Sequence, residues 1–254
     1  MYYVELLYAR RMFAWFGSIV VIIGVLILGA TLSFPAHVKL DGNEVGHAVP
    51  AHIVFAIGGY VSCIMATMLA ATLNRDRAHL AYIWTRPEPR ERIAAGYIVL
   101  DIVTILAAYV LVAGVAALVF SNIPQLHLAA DAELGSSVVR YAALPLMWYG
   151  IVEVATSWNG LRGSTIAGLS WAVFWALLIL RAINLPAPLE QVVIVLNFLN
   201  PLAYFTNKHG SSIVLGNPDM QTLLFNYTVQ TVMAYCIFAV SCVVAVAAWK
   251  RMEA

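Results

Sequence analysis

Charge is what this sequence has least of. Of its 254 residues only 11% are Asp, Glu, Lys or Arg, 62% are hydrophobic, and the mean hydropathy is +0.84. Soluble domains carry roughly a quarter charged residues, so a water-soluble globule is excluded. The charges present nearly cancel, 14 basic against 13 acidic for a net +1, which leaves no polybasic face for nucleic acid and no charged tail. The three cysteines, Cys63, Cys236 and Cys242, show no CxxC spacing. They indicate neither a disulfide frame nor a zinc site and read as small apolar packing residues. There is no GxxxxGKS or GxxxxGKT phosphate loop, no HExxH and no GxSxG, so the chain lacks the usual P-loop route to ATP hydrolysis and shows no clustered catalytic groups. Long loops are missing as well, which leaves no soluble domain inserted between apolar stretches. Whatever drives this protein comes from another chain or from a gradient.

What the sequence has is apolar length. A membrane-crossing helix needs about 20 mainly apolar residues, because the hydrocarbon core is roughly 30 Å thick and a helix rises about 1.5 Å per residue. Six stretches meet this: 12–34, 52–73, 93–120, 138–157, 165–183 and 221–248. The expected fold is therefore an all-α integral membrane protein of six spans, one transmembrane domain over 1–254. Residues 191–205 are apolar for too short a distance, are broken at Asn197 and Asn200-Pro201, and follow Pro186-Ala187-Pro188. They read as a broken re-entrant or interfacial hairpin, within an outer segment 186–210.

Direction follows from the basic residues, which are retained on the cytoplasmic side. Ten of the fourteen, Arg10, Arg11, Arg75, Arg77, Arg86, Arg90, Arg92, Arg162, Lys250 and Arg251, fall on the side that six spans assign to both termini. The expectation is a cell-membrane protein with both ends cytoplasmic. Trp15, Trp158 and Trp249 stand near the inner span ends, where interfacial anchors belong. ARRMF at 9–13 faintly resembles a twin-arginine export signal, but the apolar stretch behind it is longer than a signal's and no small-residue cleavage site follows. It reads as an uncleaved first span, preceded at 1–11 by a short interfacial helix.

The one densely charged segment is 74–97, NRDRAHLAYIWTRPEPRERIAAGY. Arg75 to Trp84 suit a short helix with Leu80 and Trp84 four apart on one face, Arg75, Asp76 and Arg77 supplying polar contacts, and Pro87 and Pro89 ending it. From charge alone it is a solvated loop that sets topology. Its pattern, however, resembles the second cytoplasmic segment of type-2 ABC exporter permeases: Arg75-Asp76-Arg77 as the charged start, Leu80, Ile83-Trp84-Thr85, and the frame Pro87-x-x-Arg90-x-x-Ile93-x-x-Gly96. Asn74, Ala78, His79, Pro89 and Tyr97 depart from the family pattern. The Asn200 to Tyr204 run and the six-span plan extend the resemblance over the chain. It implies a dimer with a second permease, identical or homologous, and two copies of a separate ATPase that holds the ATP and Mg and docks on a coupling helix in loop 74–92. On this resemblance the chain itself is expected to bind no cofactor and to be no enzyme, a membrane-embedded enzyme being a third possibility weakened by the absence of clustered catalytic groups. The resemblance implies export or flipping of a substrate by alternating access. The alternative from another class is a non-transporting membrane scaffold that docks a cytoplasmic partner on the same loop.

Polar residues inside spans are costly and face protein or water. Asp101 is read as the partner of an arginine near the interface, or else as lining a cargo path; Glu153 as a bridge to the ATPase or to loop arginines; Arg140 and Arg181 as snorkelling anchors. Gly58, Ser62, Ala66 and Ala70, with Gly59, Cys63, Thr67 and Ala71 beside them, form small-residue rows that let helices approach, within one subunit or between two. Met65, Met68, Trp171 and Trp175 read as core or lipid contacts rather than a cargo lining. His37, His47, His52, His127 and His209 fall on the expected outer side without ligand spacing, so surface placement is preferred to a metal site.

Overall fold

In a computed structural model the described residues are 3–33, 47–72, 89–123, 126–129, 134–159, 163–181, 186–201, 204 and 226–251. They form helices α1 (Tyr3–Ser33), α2 (His52–Thr72), α3 (Arg90–Ser121), α4 (Leu134–Asn159), α5 (Gly163–Arg181), α6 (Ala187–Asn197) and α7 (Tyr227–Arg251). The one strand pairing among them is a parallel pair, β1 (His47–Pro50) with β2 (Leu126–Ala129). Five helices, α1, α2, α3, α4 and α7, are long and apolar enough to cross a membrane. Apolar residues on α1 and α7 stay uncovered, Trp15 and Leu26, Val240 and Val243 among them. Such faces suit hydrocarbon and not water, which marks the chain as a membrane protein.

Cross-helix contacts fix the direction of each helix. On α2 and α4, Gly59 lies against Tyr141 and Thr67 bonds Trp148, so the two run parallel. On α1 and α3, Gly17 faces Leu111 and Gly24 faces Val115, again parallel. On α4 and α7, Tyr235 reaches Val139 and Gly150 faces Ser241, also parallel. Asp101 meets Tyr149 while Tyr109 meets Val138, so α3 opposes α4. The first turns of α3 pack on Trp249 near the end of α7. The starts of α1 and α3 and the ends of α2, α4 and α7 therefore share one end of the bundle. The strand pair closes the other end, where the Ala51 amide donates to the Ala129 carbonyl at 3.1 Å. The chain leaves α4 at the terminal end and enters α7 at the opposite one.

Local chemistry explains the tight centre, where α2 lies between α3 and α4. A Cβ on Gly58 would stand 3.1 Å from the Tyr109 ring and 3.2 Å from Ala113. Ser62, Ala66 and Ala70 are fully buried, so this small-residue row packs helices within one chain. Pro145 sits inside α4; its ring removes one N–H from the ladder and crowds the carbonyl four residues earlier. That carbonyl belongs to Tyr141, and it is the one that faces Gly59.

Several expectations are revised. Residues 3–11 of the expected separate interfacial helix are instead the beginning of α1, which runs without a break because nothing in YVELLYARRMF interrupts a helix. The last membrane helix starts at Tyr227, later than the expected 221, with the Asn226 side chain accepting from the Thr228 amide as its opening. Trp249 is buried against Ile93, Ala94 and Tyr97 and is not an interfacial anchor, whereas Trp15 is 63% exposed. Arg140 does not snorkel: it is 9% exposed, its guanidinium 4.2 Å from the centre of the Tyr227 ring.

Candidate functional site

The polar groups that the bundle draws inward gather where α3, α4 and α7 meet. Tyr149, Glu153 and Ser157 recur every four residues and so share one stripe of α4. On that stripe the Tyr149 hydroxyl donates to Oδ2 of Asp101 on α3 at 2.8 Å. Ser157 donates to Oε1 of Glu153 at 3.4 Å. The Trp249 indole and Asp101 also act on the Glu153 carboxyl, and Cys242 of α7 lies within electrostatic reach of Glu153 and Tyr149. Glu153 is 1% exposed and Asp101 8%. Oε2 of Glu153 meets no hydrogen-bond donor among the described residues.

Asp101 stands ten residues beyond Glu91, where the apolar span begins, a rise of about 15 Å. Both carboxyls therefore lie within the apolar part of the bundle, nearer its terminal end. Glu153 faces inward and is almost fully buried. The two residues singled out separately as intramembrane polar groups belong to one cluster.

A second polar contact sits on the other side of α4. The Trp148 indole donates to Oγ1 of Thr67 at 2.9 Å, Thr67 donates to the Cys63 carbonyl, and Trp148 meets Trp171 of α5 edge to face at 6.1 Å. Met65 is fully buried and Trp171 packs against the core, while Trp175 is exposed. Near the opposite end, Tyr60 donates to the Tyr204 carbonyl at 2.7 Å and Tyr204 donates back to the Phe198 carbonyl at 2.8 Å. The turn after α6, with Asn200 and Pro201 buried, is thus pinned to α2 eight residues beyond its start.

Of the expected coupling segment, Arg75, Asp76, Arg77, Leu80, Trp84 and Pro87 lie outside the described residues. Arg90 opens α3, Glu91 and Arg92 follow exposed, and Ile93 is buried. Among the described residues no group of three or more His, Cys, Asp or Glu is placed to hold a metal; His37 and His209 are outside them. No family model and no curated protein matches the chain. The Tyr149 bond to Asp101 was not read from the sequence, although the spacing of four between Tyr149 and Glu153 was visible there.

Proposed function

We propose that the chain is the transmembrane subunit of an ATP-driven exporter of the type-2 ABC permease kind, in the cell membrane with both ends cytoplasmic. It pairs with a second permease, and two copies of a separate ATPase power alternating access for a substrate that is exported or flipped. In this reading α5 is the sixth span. It starts four positions after α4 ends, is 19 residues long, about 28 Å, and provides the crossing needed between α4 and α7. The turn at Asn200 to Tyr204, held against Tyr60, is the tip of a re-entrant hairpin.

The observation that carries the proposal is the junction of loop and bundle. The frame Pro87-x-x-Arg90-x-x-Ile93-x-x-Gly96 runs into a 32-residue helix whose first buried residues, Ile93, Ala94 and Tyr97, grip Trp249 of α7. Further along, Asp101 ties the same helix to α4 through Tyr149. A helix is stiff along its axis, so a displacement of loop 74–92 by an ATPase is delivered to α3 and passed to α7 and α4 together.

The test is gentle co-purification from membranes, comparing the intact chain with the double variant Arg90→Glu, Trp84→Ala. A P-loop ATPase recovered with the intact chain and lost from the variant is the expected result. No ATPase in either preparation overturns it and favours the scaffold reading.

A further inference from the structure

Glu153 meets hydrogen-bond donors but no counter-charge among its described neighbours. Its carboxyl is 1% exposed inside an apolar helix bundle. A lone charge there is strongly unfavourable unless it is paired and its lone pairs are satisfied. On its own helix it faces Tyr149 and Ser157; from α3 it faces Asp101; from α7 it faces Cys242 and Trp249. Among these described groups none is a cation, and the nearest acid, Asp101, is of the same sign. From α2 and α5 no charged or titratable group among the described residues acts on it. Ser157 donates to Oε1 and the Trp249 indole also bonds the carboxyl, yet Oε2 stays without a donor in hydrogen-bond geometry. A water would satisfy the lone pair but not the charge. Beside the Cys242 thiol, the groups at hand are hard oxygens, two carboxyls, a phenol and a hydroxyl, which suit a proton or a small alkali cation.

We propose that Glu153, with Asp101 and Tyr149 behind it, is an intramembrane binding site for one small cation, a proton or a sodium ion. Its occupancy neutralises Glu153 and lets α3, α4 and α7 close around it; vacating it leaves a charge that favours their separation. Asp101 is on α3, Glu153 on α4 and Trp249 on α7, so ion uptake and release accompany any separation of these three helices, whatever drives it. The inference stands whether or not the chain works with an ATPase.

The test uses the full chain purified in detergent. Dicyclohexylcarbodiimide labels protonated carboxyls in apolar surroundings, and the labelled residue is mapped by mass spectrometry. Labelling at Glu153 is expected in the wild type and is absent from Glu153→Gln. If the cation is a proton, the labelling rate falls about tenfold per pH unit above its midpoint and ignores sodium. If it is sodium, added sodium chloride protects Glu153 at fixed pH where potassium chloride does not. Asp101→Asn moves the midpoint or the protecting concentration, which a purely structural carboxyl would not do. Infrared spectra of the wild type give an independent reading, a carboxyl band that responds to pH or sodium and disappears in Glu153→Gln. The proposal is overturned if Glu153 shows neither labelling nor such a band, or if both ignore pH and sodium alike.

Discussion

Gly59 and the carbonyl of Tyr141 are packed so closely that a Cβ on Gly59 would stand 2.6 Å from that oxygen. The neighbour is backbone and cannot rotate away. Gly59→Ala therefore forces α2 and α4 apart and costs about 1–3 kcal/mol, the range for overpacking a close contact. Gly58→Ala, which meets side chains at 3.1 and 3.2 Å, costs less. Gly114→Ala, with nothing within 4 Å, leaves stability unchanged or slightly higher. Unfolding of the three variants by titration with a denaturing detergent gives the order, and equal stability of the variants at 59 and 114 would refute it.

Arg140 and Tyr227 join α4 to α7 at the end away from the termini, the guanidinium over the ring. Tyr227→Phe keeps the π face and is expected to cost less than removing the ring. Tyr227→Leu removes it at similar bulk and loses about 1 kcal/mol. The comparison is again by unfolding, with Arg140 left in place.

Tyr60 holds the turn after α6 through one hydrogen bond to the Tyr204 carbonyl. Tyr60→Phe removes only the hydroxyl, so the bundle is retained while about 1 kcal/mol of docking is lost. Hydrogen exchange should then speed up at 198–204 and stay unchanged in the centre of α2. Unaltered exchange in the turn would show that other contacts hold it.

Tyr149 supplies a hydroxyl to Asp101 inside the bundle. Tyr149→Phe deprives a buried carboxyl of that donor and costs about 1–3 kcal/mol. Asp101→Asn still accepts from the phenol and costs less. A double-mutant cycle between Tyr149→Phe and Asp101→Ala isolates the pair, and a coupling below about 0.5 kcal/mol would count against it.

Much of the fold was legible because the bilayer demands length and apolarity, both of which are local. The expected limits 52–73, 93–120 and 138–157 lie close to His52–Thr72, Arg90–Ser121 and Leu134–Asn159. Ends that depend on partners were harder to read: nothing local says that Trp249 turns inward onto Tyr97, or that β1 pairs with β2, whose partner residues lie 79 positions further on. Arg140 was misread for the same reason. A cation near a span end snorkels when lipid surrounds it, but here Tyr227, distant in sequence, offers a ring.

The sequence by itself determined that this chain belongs in a membrane and where its helices run, since burying a charge or leaving a backbone amide unbonded in hydrocarbon is costly wherever it occurs along the chain. It also showed that Asp101 and Glu153 had to face protein or water. That they fall within electrostatic reach of each other, with Tyr149 bonded to Asp101 beside them, was decided only by the tertiary structure. The small residues of α2 let it pack closely against α3 on one side and α4 on the other, and those approaches and rotations are properties of the packed helices together and of none of them alone.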